Sequence, residues 1–127
     1  MNKENTKYLL EKYPNLYCQH SLPMTQTSMC WLFECSDGWF QIIYDLSKKI
    51  TELDPDVQAC QVKEKFGGLR FYVDSGSDEV YKLIGEAEEE SYKTCEKCGT
   101  KENVSRTKTG WIITLCDKCR KERNKEE

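Results

Sequence analysis

The chain has 127 residues, enough for one domain or for one domain with a small appended module. Hydrophobic residues make up 38% and charged residues 32%; no run of about 18 apolar residues occurs, which leaves no membrane-spanning helix and only a modest core. The net charge of −3 is split: residues 1–92 hold nine basic and sixteen acidic side chains and residues 93–127 hold ten and six, giving −7 and +4. Four metal-bound thiolates around a divalent cation would lower the tail to about +2, short of the strongly basic balance of a dedicated nucleic-acid binder.

The first residues, MNKENTKYLLEKYP, are charged and contain no apolar leader core, so a cytoplasmic protein is expected. Eight cysteines in such a chain point to metal binding or free thiols rather than to disulfides. Residues 3–12 read as a short helix, ended by Pro14, with Tyr8, Leu9 and Lys12 helically spaced. Residues 15–29 have no clear period and read as loop. Cys30–Cys35 alternates Trp31, Phe33 and Cys35 with Leu32 and Glu34, which predicts a strand.

Ser36-Asp37-Gly38 then turns the chain, with Asp37 as the expected N-cap of a helix over 38–53. Trp39, Ile42, Ile43, Leu46, Ile50 and Leu53 form its apolar stripe, and Asp54-Pro55 stops it. Two alternating runs over 57–74 flank Gly67-Gly68 and predict a hairpin with Phe66 opposite Leu69. In that register Val62, Phe66, Leu69, Phe71 and Val73 share one face, with Glu64 as the exception, and Lys63, Lys65, Arg70 and Tyr72 share the other. A helix over 78–92 follows, with Val80, Leu83, Ile84 and Ala87 inward and Asp78, Glu79, Glu86 and Glu89 on an acidic face. Residues 120–127 are highly charged and are expected to fray.

The most specific signal is Cys95-x-x-Cys98-Gly99, seventeen residues, then Cys116-x-x-Cys119. Two residues between thiolates let one tight turn aim both sulfurs at one ion, and four soft thiolates favour tetrahedral Zn²⁺. An iron–sulfur cluster or a redox CxxC is the competing reading. Between the knuckles, Val104–Arg106 and Trp111–Thr114 predict a zinc-ribbon-like hairpin turning at Thr107–Gly110. A closed four-cysteine site is structural rather than catalytic, because it keeps no coordination position for water or substrate. A second site from Cys18, His20, Cys30 and Cys35 is disfavoured: the spacing is loose and free cysteine is a common buried residue.

No catalytic residue is assigned. His20, the sole histidine, lies two residues from Cys18 in a loop, and no HExxH, GxSxG, Walker A or GxGxxG pattern occurs. Two surfaces are candidates for partners. Lys63, Lys65, Arg70 and Tyr72 suit phosphates and base stacking; Asp78, Glu79, Glu86 and Glu89 suit a basic protein. The solvent faces of a hairpin and of a helix explain both without a partner.

Met29-Cys30-Trp31, Glu34–Trp39, the block Gln61–Tyr72 (QVKEKFGGLRFY) and the Cys95–Cys119 module with Gly110-Trp111 and Thr114-Leu115-Cys116 resemble a family of small phage and prophage proteins. The resemblance covers nearly the whole chain, although Leu32 and Ser36 stand where that family is expected to carry glycines. The family looks like the source of a zinc-containing anti-CRISPR protein acting on type II effectors. The resemblance implies a non-enzymatic, stoichiometric inhibitor of Cas9 or its guide-RNA complex in the bacterial host cell, with zinc ligands at Cys95, Cys98, Cys116 and Cys119; a monomer is expected. The alternative is a zinc-dependent nucleic-acid-binding accessory protein. The expected architecture is α+β: a body over 1–92, built as a small antiparallel sheet with two packed amphipathic helices, and a zinc module over 93–127 packed on it.

Overall fold

The computed structural model describes residues 1–107 and 110–126, with side chains as far as Arg123. The fold is α+β, with a three-stranded sheet in the body and a two-stranded sheet in the C-terminal module. Helix α1 (Lys3–Lys12) starts at Asn2, whose side chain accepts the Asn5 N–H at 2.7 Å. It buries Leu9 completely and sets the Tyr8 ring edge-on to Phe40, 6.0 Å between centroids. Residues 15–31 are not plain loop: short 3₁₀ turns form at Cys18–Ser21 and Met29–Trp31.

The strand expected over Cys30–Cys35 shrinks to β1 (Phe33–Glu34). The cause is Leu32, which takes φ +61° and ψ −140°, a conformation that favours glycine and breaks the extended run. Phe33 and Cys35 still point into the core, whereas Trp31 stays on the surface. Asp37 does not cap the next helix. Its carboxylate accepts the Asn2 N–H at 2.7 Å and the Asn5 amide at 3.2 Å, pinning α1 to this corner. A 3₁₀ turn at Asp37–Trp39 leads into α2 (Phe40–Leu53), which buries Ile42, Ile43, Leu46 and Ile50 and leaves Leu53 exposed.

Helix α2 is a crossover. It carries the chain from β1 to β2 (Ala59–Lys65), which lies parallel to β1, so the sheet is mixed rather than antiparallel. β2 and β3 (Gly68–Val73) form the expected hairpin, but Lys65 pairs with Gly68 and Glu64 with Leu69. The turn is therefore Phe66-Gly67, at φ +54° and +83°, and not Gly67-Gly68. Gly68 is needed in the strand: a Cβ there would lie 2.5 Å from the Tyr92 hydroxyl. The register differs from the expected one by two residues. Because strand side chains alternate with period two, Val62, Leu69 and Phe71 keep the inner face, and Lys63, Arg70 and Tyr72 keep the outer one. Only Phe66 changes sides, from core to exposed turn.

Helix α3 (Asp78–Ser91), capped by the Ser77 hydroxyl on the Val80 N–H at 3.3 Å, packs against α2 and β3. Val80 and Ala87 are buried, and Leu83 and Ile84 are half-buried. One apolar core joins α1, α2, α3 and the inner face of the sheet around Trp39, Tyr17, Ile43 and Leu69.

In the module, β4 (Val104–Arg106) pairs antiparallel with β5 (Thr114–Cys116), so the second strand starts three residues later than expected. The Thr107 hydroxyl explains the shift. It donates to the Trp111 carbonyl at 2.9 Å and accepts the Ile113 N–H at 3.0 Å, rounding the chain into a wider loop. Lys108 and Thr109 of the expected Thr107–Gly110 turn lie outside the described residues. The C-terminal segment carries a helix that its sequence did not predict: α4 runs over Asp117–Glu126, and its Arg120 guanidinium donates to the Ser105 carbonyl at 2.7 Å. Glu127 lies outside the described residues.

Candidate metal centre

The first knuckle follows α3 directly. The Gly99 N–H returns to the Cys95 carbonyl at 2.9 Å and the Cys95 N–H donates to the Thr100 carbonyl at 2.8 Å, closing a tight turn over Cys95–Cys98. The second knuckle joins β5 to α4: Cys116 ends the strand, Cys119 sits in the first helical turn, and the Cys119 N–H points at the Cys116 sulfur at 3.4 Å. The four Sγ atoms lie within 4.8 Å of one another, with Cys98 and Cys116 3.7 Å apart. Among the described residues this is the one group of three or more potential ligands that converges. The four cysteines thus form a candidate structural metal site.

Burial is uneven. Cys95, Cys116 and Cys119 are at most 5% exposed, while Cys98 lies at the surface. Burial alone would push the Cys95 thiol up, but backbone N–H groups of Cys98, Cys116 and Lys97 outweigh it and hold it at about 7. Cys119 is pushed up by burial and by the adjoining Cys116, Cys95 and Cys98 thiols. Thiolates crowded in this way repel one another, and a cation between them removes that repulsion, which is the condition a metal supplies.

The site is tied to the body through Glu96, which the CxxC pattern presents as a mere spacer. Its carbonyl accepts the Gly38 N–H at 2.7 Å, its N–H donates to the Thr114 carbonyl at 3.0 Å, and its carboxylate accepts the Ser36 N–H at 3.0 Å. The other carboxylate oxygen is buried without a partner. Gly38 makes this approach possible, since a Cβ there would sit 2.2 Å from the Cys95 carbonyl oxygen. Beside it the buried Trp39 indole donates to the Thr94 carbonyl at 3.0 Å. On the far side the Thr114 hydroxyl donates to the Gly67 carbonyl at 2.5 Å, and the Arg106 guanidinium stacks on Tyr92, 4.8 Å from the ring centroid.

Cys18, His20, Cys30 and Cys35 do not converge. Cys35 is in the core, Cys30 points at the Thr27 carbonyl, and His20 is exposed. Burial first, and then the Glu96 charge, push the Cys35 thiol up to about 12. Of the basic face, Arg70 is engaged, 2.7 Å from the Glu88 carboxylate and 3.3 Å from the Tyr92 hydroxyl. Lys65 and Tyr72 are exposed, Lys63 is half-buried, and Asp78, Glu79, Glu86 and Glu89 all lie on the exposed side of α3.

A surface that the periodicity of the sequence did not single out lies where the body hairpin meets the module. Phe66 (60% exposed) and Trp111 (71% exposed) line one groove with Ile112, and Lys63, Lys65, Glu34 and Glu64 form its rim. Each aromatic sits beside a glycine with positive φ, Gly67 or Gly110. An aromatic next to a turn glycine was the available signal.

No helix among the described residues is long and apolar enough to cross a membrane. No protein-family model matches the chain, and no match to it is found among the curated proteins or the solved structures.

Proposed function

We propose that the chain is a zinc-stabilised binding protein that blocks a type II CRISPR effector, Cas9 or its guide-RNA complex, by stoichiometric contact. The observation that carries the binding role is the Phe66–Trp111 groove. Large exposed aromatics with a mixed-charge rim are the composition of protein-docking hot spots. Phe66 occupies a positive-φ turn position where Asn or Gly costs less, so the fold carries local strain and keeps the ring in solvent. The sequence resemblance supplies the target; the groove supplies a place to meet it.

Zinc is the ion this reading assigns. Zn–S bonds of about 2.3 Å put tetrahedral sulfurs about 3.8 Å apart. The Cys98–Cys116 separation is 3.7 Å, and all four sulfurs lie within 4.8 Å of one another. Four thiolates close the coordination sphere, so the ion holds shape and takes no part in chemistry.

The test is titration of the purified chain into Cas9 loaded with guide RNA. Co-elution and loss of DNA cleavage near one equivalent are expected, with Trp111→Ala weakening both by about tenfold or more, as removal of an aromatic hot spot does. Lys63 and Lys65 beside Tyr72 keep the nucleic-acid reading as the second one. Binding to free RNA or DNA with steep salt dependence, and none to the protein, would replace the first reading by it.

A further inference from the structure

We infer that Cys98 is an oxidation site through which peroxide ejects the metal and uncouples the module from the body. The inference rests on the zinc reading above and not on the identity of the target. Three of the four cysteines are buried residues, and the fourth, Cys98, is exposed. An exposed thiolate is the one an oxidant reaches, and coordination keeps it deprotonated and nucleophilic. A resolving sulfur is in place, since Cys116 lies 3.7 Å from Cys98.

The chemistry balances with a peroxide as the two-electron oxidant. The Cys98 thiolate attacks one peroxide oxygen; the O–O bond breaks, a sulfenic acid forms, and hydroxide leaves and takes a proton to become water. The Cys116 thiolate then attacks the Cys98 sulfur. An S–S bond forms, the S–O bond breaks, and a second hydroxide leaves as water after protonation. Two thiolates have lost two electrons, hydrogen peroxide has become two waters, and only Cys95 and Cys119 remain as ligands. Two thiolates do not hold zinc against a chelator as four do.

The consequence reaches beyond the site. Glu96 lies next to ligand Cys95, and Thr114 lies two residues before ligand Cys116. These residues make the bonds to Gly38 and Gly67 that seat the module on the body. Losing the ion therefore loosens the Phe66–Trp111 groove, which takes one wall from each part.

The experiment treats the zinc-loaded full chain with one equivalent of hydrogen peroxide. A chelating dye reports released zinc, and peptide mass mapping locates the first disulfide. Metal content measured beforehand separates failure of the zinc reading from failure of this one. The expected result is zinc release in step with a Cys98–Cys116 bond, reversed by dithiothreitol plus zinc. A Cys98→His variant, which keeps four ligands, should release zinc about tenfold more slowly. Should that variant not load, iodoacetamide footprinting of the native chain serves, with Cys98 expected to alkylate first among the four. A first disulfide made by any other pair, oxidation of Cys18, Cys30 or Cys60 with zinc retained, or alkylation of Cys98 no faster than of its three partners would overturn the inference.

Discussion

The body and the C-terminal module solve the same problem with different means. The body closes around Leu9, Tyr17, Met29, Trp39, Ile43, Ile50, Val62, Leu69 and Val80, all under 2% exposed. These side chains belong to one continuous apolar cluster, and each large one favours the fold by about 1.5–3 kcal/mol when buried. The module has one comparable side chain, Leu115, with Val104 and Ile113 half-buried beside it. That is a far smaller apolar cluster than the body's. The comparison teaches that the module has four converging sulfurs where the body has a core. It also shows why the module leans on Gly38 and Gly67 of the body.

The comparison breaks most visibly when the ligands are removed. Exhaustive chelation, or Cys98→Ser, should abolish amide-exchange protection over 95–119 and leave α2, β2 and β3 protected, a loss on the order of 10 kcal/mol for the module. Retained protection over 95–119 with no metal present would end the argument for a metal-held module. Gly38→Ala comes next. Its Cβ would meet backbone at 2.2 Å with nothing flexible to yield. About 3 kcal/mol or more of stability should be lost in denaturant melts, with metal content kept if only the seam opens.

Alkali should weaken the body more gently. Cys35 rises from 9.0 to about 12 in the fold because it is buried. The unfolded chain therefore loses this proton first, and stability falls as pH rises from about 9 toward 12. By about pH 10.5 the loss is roughly 2 kcal/mol, and Cys35→Ala should flatten the profile. Glu96→Gln sharpens the description of the seam. It keeps an acceptor for the Ser36 N–H and removes a buried charge, so the melting midpoint should rise by the equivalent of about 1 kcal/mol. The smallest effect on stability belongs to Phe66→Asn, which relieves the positive-φ turn by about 0.5–1 kcal/mol. The same change should cost the protein its partner, a split between stability and binding that calorimetry and pull-down would read separately.

Much of this was legible in the sequence, for stated reasons. Helices α1, α2 and α3 were found because their apolar residues recur at helical spacing, and the cysteine quartet because its spacing admits few other uses. The hairpin faces were found despite the wrong turn, since a slip of two residues leaves the pleat unchanged. What stayed hidden depends on contacts between distant residues. Gly68 is spent on Tyr92 rather than on the turn, Asp37 turns back to α1 rather than forward to α2, and Leu32 interrupts a strand that its neighbours favour. Helix α4 was unreadable because its charged residues show no apolar period; ligand Cys119 and the Arg120–Ser105 bond hold it instead.

Trp39 has one more use. It is the buried indole of the three tryptophans, and its N–H crosses from the body to Thr94 at the foot of the module. Trp31 and Trp111 are already exposed, so they are expected to emit as solvated rings. Any opening of the joint would wet Trp39 and move its emission to longer wavelength. The molecule thus carries its own optical gauge of whether its two parts are docked, readable in a cuvette without a label.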